Sequence, residues 1–381
     1  MRIVALKMLT GDRAKYFALI FGIAFATLLM SQQISIFIGL MNRTASQVLD
    51  VREADVWVMD PRVNYIDEVE ALPDEALGRV RSVQGVEWAV PFYKGLAIFR
   101  TSDGLVNQVS LIGVDDETLV GAPRIWQAGD LESLREPDAI LFDAQGAAFI
   151  WPGKDPLSAM GQEAEINDNR VVVRGIVDAS APFITFPVAY MRYSQAVSVT
   201  PPTRNKMSFV LARARDGVAL EELARRIEAQ TGLQAHTREG FAWRSIFYYL
   251  TRTGIPVNFG ITIMLAIIVG AAITAQTFYL FVIENLKQFG ALKAIGATNG
   301  QIAGMVLLQA AVVGAIGFCF GIGACAIFFS FTQSVPALEG FVLRWQVLAG
   351  VAGVVGLIIV IASLGSLLKV FRVDPAIVFR G

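Results

Sequence analysis

The sequence predicts a membrane α-helical fold of four transmembrane helices joined to one extracytoplasmic α+β domain, and three observations carry that prediction. Hydrophobic residues make up 54% of the 381 residues and charged residues 17%, whereas an ordinary soluble domain carries about 25% charged residues. The deficit is concentrated in four windows without Asp, Glu, Lys, Arg or His: 17–41, 257–283, 302–338 and 345–368. Each exceeds the roughly 20 apolar residues needed to cross a hydrocarbon core. Between the first and second windows the chain regains ordinary polarity, which predicts a folded domain outside the bilayer.

The first window follows Arg2, Lys7, Arg13 and Lys15, as a signal peptide would. It is longer than the roughly 7–15 residues of a signal h-region, and no small-x-small cleavage site follows it. An uncleaved signal anchor is therefore expected. The two cysteines, Cys319 and Cys325, both fall inside the third window. Six residues apart on a helix, they point to different faces and predict apolar packing, not a disulfide. A net charge of −1 gives no electrostatic reason to expect nucleic acid as a partner.

Lys and Arg in short flanks set membrane orientation. The N-terminal flank carries four basic residues against Asp12, the turn after the second window carries Lys287 and Lys293 against Glu284, and the tail carries Lys369, Arg372 and Arg380 against Asp374. All three are expected in the cytoplasm. The connection between the third and fourth windows, with Glu339 and Arg344, suits the outer side. Arg244 and Arg252, just before the second window, cut against this order, but large domains translocate largely regardless of charge. The expected organisation is a cytoplasmic amphipathic segment (1–16), a first span (17–41), a periplasmic domain with stalk helices at both ends (42–256) and a second span (257–283). A cytoplasmic coupling turn (284–300), a third span (301–333), a short periplasmic loop (334–344), a fourth span (345–368) and a cytoplasmic tail (369–381) follow.

None of the windows carries an ionisable residue near its centre, where proton- or ion-coupled transporters need one. Energy is expected to enter from elsewhere. Gln32, Gln33, Ser35, Thr274, Gln276 and Gln309 suit interhelical hydrogen bonds better than a substrate path. Small residues recur at helix-packing spacing: Ala310, Gly314, Gly317 and Gly321 in the third window, and Ala349, Gly353 and Gly356 in the fourth. Such spacing lets helices approach closely, within one chain or at a dimer seam.

The stretch between the second and third windows is short and amphipathic. Leu286, Phe289, Leu292 and Ile295 recur every three residues while Lys287, Gln288 and Lys293 stay polar. Gly296 is placed to end a helix, and Thr298 with Gln301 has the spacing of a capping box that starts the next. The apolar stripe needs a cover, which is either lipid headgroups or a partner protein; residue chemistry leaves both open.

The same stretch resembles the signature of the MacB, FtsX and lipoprotein-releasing permeases of the ABC transporter superfamily. In that group a glutamate, here Glu284, precedes a G-x-L-[KR]-A-[IL]-G-A core, here Gly290, Leu292, Lys293, Ala294, Ile295, Gly296 and Ala297. The layout of one span, a large domain, three spans and a tail with Pro375 and Arg380 is similar as well. Gln33, Ile36, Phe37 and Met41, leading into 54–60, most resemble the DevC-type permeases of glycolipid exporters. The resemblance implies a homodimer in the bacterial inner membrane, paired with a separate ATP-binding cassette subunit. That partner would hold the ATP and magnesium, and no cofactor is expected in this chain. Glu284, Leu286, Lys287, Phe289, Gly290, Leu292, Lys293, Ala294 and Gly296 would couple to it. Gly314, Gly317, Gly321, Gly353 and Gly356 would serve helix packing or dimerisation. A periplasmic membrane-fusion adaptor, an outer-membrane channel and lipid are the further implied partners, and a lipid, glycolipid or other hydrophobic molecule the implied cargo. A regulator of a periplasmic enzyme of the FtsX kind, or a lipoprotein or lipid extractor, are the alternatives within the group.

In the outer domain, 56–59, 86–92, 96–100 and 106–114 predict strands, with 74–82 helical and a hairpin turn at 102–104. Residues 207–213 and 233–237 predict strands around a helix over 220–231, with Leu223 and Ile227 inward and Gly232 ending it. The region 138–199 is rich in short β runs. Two α/β units enclosing a β-rich insertion resemble the porter-like organisation of the MacB group, with 44–54 and 240–256 as stalks. Aromatic residues Phe241, Trp243, Phe247, Tyr248 and Tyr249 suit an interfacial belt. The single histidine, His236, has no cysteine in reach for a zinc site and no partners for a triad. Gly153-Lys154 lacks the glycine spacing of a phosphate loop, and the acidic runs Asp67-Glu68-Glu70 and Asp115-Asp116-Glu117 read as solvated surface. ATP hydrolysis is expected on another polypeptide.

Overall fold

The computed structural model describes residues 2–11, 13–184, 186–201, 206–332 and 341–371. Asp12, Glu339 and the tail residues Arg372, Asp374, Pro375 and Arg380 lie outside the described residues. The chain divides into a helical unit, Met1–Gly39 with Gly254–Gly381, and a sheet unit, Leu40–Thr253.

In chain order, helix α1 (Arg2–Gly11) and the long α2 (Arg13–Arg43) come first. The sheet unit then contributes α3 (Ser46–Asp50), β1 (Val56–Met59), α4 (Glu75–Arg81), β2 (Val86–Thr101), β3 (Val106–Val114), β4 (Ile125–Ala128), β5 (Ala139–Asp143) and α5 (Ala144–Ile150). It continues through β6 (Glu163–Ile166), β7 (Asn169–Asp178), β8 (Val188–Arg192), α6 (Tyr193–Ser198), β9 (Phe209–Ala214), α7 (Leu220–Thr231), β10 (Gln234–Thr237) and α8 (Arg238–Arg252). The last helices are α9 (Ile255–Glu284), α10 (Leu286–Ala294), α11 (Asn299–Thr332) and α12 (Trp345–Phe371). Among the described residues, α2, α9, α11 and α12 are long and apolar enough to cross a membrane.

The sheet unit is organised around the sixteen-residue strand β2. Its first half pairs with β9, from Val86 to Phe92, and its second half with β3, from Tyr93 to Arg100, all antiparallel. Strand order is β10-β1-β9-β2-β3-β8-β5-β7-β4, with β6 bridging β2 and β7. The pairs β3–β8 and β5–β7 are parallel. One half of the sheet thus carries the two α/β units, and the other is the β-rich insertion.

Strand β1 shows why the first half is buried on both faces. Its residues alternate: Trp57 and Met59 enter a cluster with Phe92, Phe209 and Phe241, while Val56 and Val58 enter another with Leu72, Val80, Leu223 and Ile227. The period of two in a strand sends successive side chains to opposite faces, so a run of four apolar residues is covered twice. Helix α7 ends at Gly232, whose φ of +70° is the left-handed cap geometry that favours glycine, and the Gly232 amide donates to the Glu228 carbonyl at 2.9 Å.

Two expectations change here. The segment 44–54 is not a stalk helix: α3 is five residues long and extended chain follows it. The aromatic residues of α8 do not form one interfacial belt. Phe241 is fully buried against Trp57 and Phe209, with ring centroids 5.7 and 5.8 Å away. Tyr248 stacks on Tyr65 at 4.4 Å, and Tyr249 packs on Phe183 at 4.4 Å. Only Trp243 and Phe247 of the five are exposed. A helix turns about 100° per residue, so five aromatics within nine positions cannot share one face.

In the helical unit, α2 packs on both α9 and α11, and α12 on both α9 and α11. Helix α1 is fastened to α11 by the Gln309 side chain, whose Nε2 donates to the Ala5 carbonyl at 2.7 Å. Both residues are fully buried, where a polar contact of this kind is worth most.

Candidate functional site

The site singled out by the sequence is the hairpin from Glu284 to Gln301. Helix α9 ends at Glu284, and α10 begins almost at once. Asn285 marks the junction: its Nδ2 donates to the Phe281 carbonyl at 2.8 Å, the same carbonyl that its own amide reaches at 3.2 Å. Glu284 pairs with Lys15 at the start of α2.

The C-terminal end of α10 is a Schellman motif. The Ala297 amide donates to the Leu292 carbonyl and the Gly296 amide to the Lys293 carbonyl, each at 2.9 Å. Gly296 sits at φ +100°, a backbone conformation that side chains with a Cβ disfavour. The next helix starts two residues later with a complete capping box. The Thr298 amide donates to Gln301 Oε1 at 3.0 Å, and the Gln301 amide donates to Thr298 Oγ1 at 3.3 Å. Both ends of the connection are therefore closed by specific hydrogen bonds, and the short helix is held as a defined projection.

Burial divides α10 differently from the apolar stripe. Phe289 is 0% exposed and Gly290 is buried beside it. Leu286 and Leu292 are partly buried, packed with Phe289 against the same core as Phe281, Val282, Ile302 and Val306. The chain's own bundle thus covers most of the stripe, so neither lipid nor a partner is needed there. Its last member, Ile295, is 85% exposed. The accessible face consists of Glu284, Lys287, Gln288, Ala294, Ile295 and Gly296, while Lys293 is half-buried. Periodicity identified an amphipathic helix correctly but could not say that its apolar face would be filled from within.

The glycines also separate. A Cβ on Gly314 would strike the Ile359 side chain of α12. On Gly317 it would lie 3.0 Å from the Ile20 carbonyl oxygen, and on Gly321 2.5 Å from that of Ala24, both in α2. These three serve close helix packing inside the chain. Gly353 and Gly356 have nothing within 4 Å of an added Cβ, and with Ala349 they form an exposed small-residue face on α12.

The hairpin lies inside the region, residues 260–375, that matches the FtsX-like permease C-terminal domain, and residues 16–230 match the MacB-like periplasmic core domain. This chain belongs to the MacB-like, FtsX-like permease family. An uncharacterized ABC transporter permease of Mycobacterium bovis is 36% identical over 118 residues, which cover 30% of this chain and 31% of the relative. The chain thus spans about a third of that relative's length. An uncharacterized ABC transporter permease of Mycobacterium tuberculosis is 25% identical over 310 residues, covering 81% of this chain and 79% of the relative. Among solved structures, the extracellular domain of the noncanonic ABC-type transporter YknZ from Gram-positive bacteria is 14% identical, with a TM-score of 0.35 over 48% of this chain and 98% of that one. The periplasmic region of MacB from Actinobacillus actinomycetemcomitans is 11% identical, with a TM-score of 0.37 over 50% and 90%.

Proposed function

We propose that this permease is the membrane subunit of an ATP-driven transporter and that a separate ATP-binding subunit docks on the exposed face of α10. Family membership supports the transporter class, and the observation that carries the docking site is the division of α10: a fully buried Phe289 on one side, an exposed Ile295 and Lys287 on the other. A large apolar side chain exposed next to a rigid, hydrogen-bonded turn is the geometry of a binding anchor, because little ordering cost remains on contact. Buried Phe289, Leu286 and Leu292 would then transmit the push into α9 and α11, with which they share a core.

In this proposal the hairpin and both termini face the cytoplasm of a bacterial inner-membrane protein, and the sheet unit faces the periplasm. ATP and magnesium belong to the partner. The exposed Ala349, Gly353 and Gly356 face of α12 is the seam for a second copy, since small residues let two helices approach within a membrane. A hydrophobic cargo, handed to a periplasmic adaptor and outer-membrane channel, completes the scheme. The test is cross-linking. With Cys319 and Cys325 replaced by Ala, a cysteine at Ala294 should cross-link to the ATP-binding subunit in membranes, and a cysteine at Gly290 should not. Equal cross-linking at both positions, or none at Ala294, contradicts the docking face.

A further inference from the structure

The most unusual site of the sheet unit lies where β2 changes partners. Even-numbered residues of β2 direct their backbone groups to the side occupied first by β9 and later by β6. The Phe92 carbonyl accepts from the Ser208 amide at 3.1 Å, and at the other end the Ile98 carbonyl accepts from the Asn167 amide at 2.9 Å. Strand β9 pairs only as far as Phe92, and β6 begins at Phe99. Between them, among the described residues, no strand pairs with this edge of β2.

Lys94 fills part of this gap. Its amide donates to Ser208 Oγ at 2.9 Å and its carbonyl accepts from the same hydroxyl at 3.0 Å, so one serine replaces a strand. Leu96 is the next residue with backbone groups on this side. Its neighbour across β3, Ser110, directs its amide to the Pro187 carbonyl instead. The alternating bonds of an antiparallel pair therefore leave the Leu96 N–H and C=O facing the gap.

The Lys94 side chain is 5% exposed and donates to Asp67. An ammonium has three N–H donors, and among the described residues Asp67 accepts from only one. Burial pushes the Lys94 pKa down, and the Asp67 charge opposes that shift. The gap opens into a cleft of about 450 Å³, lined on its apolar side by Val69, Leu96, Ile184 and Phe186. That volume is within the range of small-ligand sites. Glycine at position 95 leaves room for the Tyr93 hydroxyl, which a Cβ there would strike.

We propose that this cleft binds a small amphiphile with an uncharged hydroxyl- or amide-bearing head, the head on Lys94, Asp67 and the Leu96 backbone and the apolar body against Val69 and Phe186. The polar end of the cleft offers both donors and acceptors, which suits hydroxyls and amides. Lys94 and Asp67 already neutralise each other, Glu70 is held by Arg62 at 3.0 Å, and the remaining charge of the lining, Lys206, is exposed to solvent. A charged head would bring an uncompensated charge into a desolvated site. The site is independent of the docking face on α10.

The test uses the full chain in lipid nanodiscs and three photoreactive eight-carbon probes below their micellar concentrations: an alkyl glucoside, an alkyl carboxylate and an alkyl ammonium. Cross-linked peptides are mapped by mass spectrometry. The glucoside should label the peptides containing Val69 and Leu96 at least tenfold more than either charged probe does. Val69→Glu, at an exposed position, should reduce that labelling at least fivefold. The double variant Lys94→Met with Asp67→Asn, which removes the pair without stranding a buried charge, should do the same. Labelling confined to the membrane helices, equal labelling of the cleft by all three probes, or labelling unchanged in Val69→Glu would overturn the proposal.

Discussion

Thr298 and Gln301 cap the start of α11 reciprocally, each amide donating to the other's side chain at 3.0 and 3.3 Å. That pair fixes where the third span begins, and hence where the projecting α10 turn ends. Thr298→Ala should lower the unfolding free energy of the helical unit by about 1 kcal/mol, the usual value of a lost N-cap. Thr298→Ser should retain most of it, as read by thermal unfolding in detergent.

Gly296 should resist substitution for a reason of backbone geometry. At φ +100° a residue with a Cβ is strained by about 1–2 kcal/mol. Its added Cβ would meet nothing within 4 Å, so crowding contributes nothing. Gly296→Ala should therefore destabilise the hairpin and Gly296→Asn should do so less, because asparagine tolerates positive φ better, whereas crowding would make the larger asparagine worse.

Phe289 and Ile295 should behave oppositely although both are large apolar residues of one turn. Phe289→Ala removes a fully buried ring and should cost about 3–5 kcal/mol. Ile295→Asp alters an 85% exposed side chain and should change stability by less than about 0.5 kcal/mol. Thermal melting of the two variants beside the wild type separates these outcomes.

Asp143 gives the sheet unit a pH signature. The carboxylate caps α5, accepting from the Gln145 and Gly146 amides at 3.2 and 2.8 Å, but burial pushes its pKa up to about 6. The folded state therefore holds a proton that the unfolded chain has released, between the ordinary value of 3.8 and about 6. Its contribution to stability is fully present below 3.8 and is lost as pH rises through about 6. At about 1.4 kcal/mol per unit, the wild type should lose up to about 3 kcal/mol relative to Asp143→Asn between pH 4 and 7. His236, whose pKa burial lowers, acts in the opposite sense, so the difference between the two proteins is the quantity to measure. A flat difference would contradict the buried-carboxyl origin.

Much of the architecture was legible in the sequence because its signals are local. Charge-free windows mark the four long helices, Thr298 with Gln301 marks a helix start, and the run from Val56 to Met59 marks a strand. What was not legible depends on contacts distant in sequence. Lys94 and Gly95 read as an interruption between two strands, yet β2 is continuous because β3 pairs with it from Tyr93 to Arg100, while Ser208, 114 positions away, bonds both backbone groups of Lys94 on the other edge. Glycine spacing announced close helix contact, but only the packed bundle shows that Gly317 and Gly321 meet α2 while Gly353 and Gly356 stay open. The apolar repeat of α10 likewise carried no sign that Phe289 faces the chain's own core.

The docking proposal stands or falls on ATP hydrolysis by the partner subunit, measured with the permease reconstituted in nanodiscs. Wild-type permease should raise the partner's turnover severalfold, and Ile295→Asp, with unchanged melting temperature and membrane insertion, should abolish that stimulation. Full stimulation by Ile295→Asp would show that force does not enter through α10.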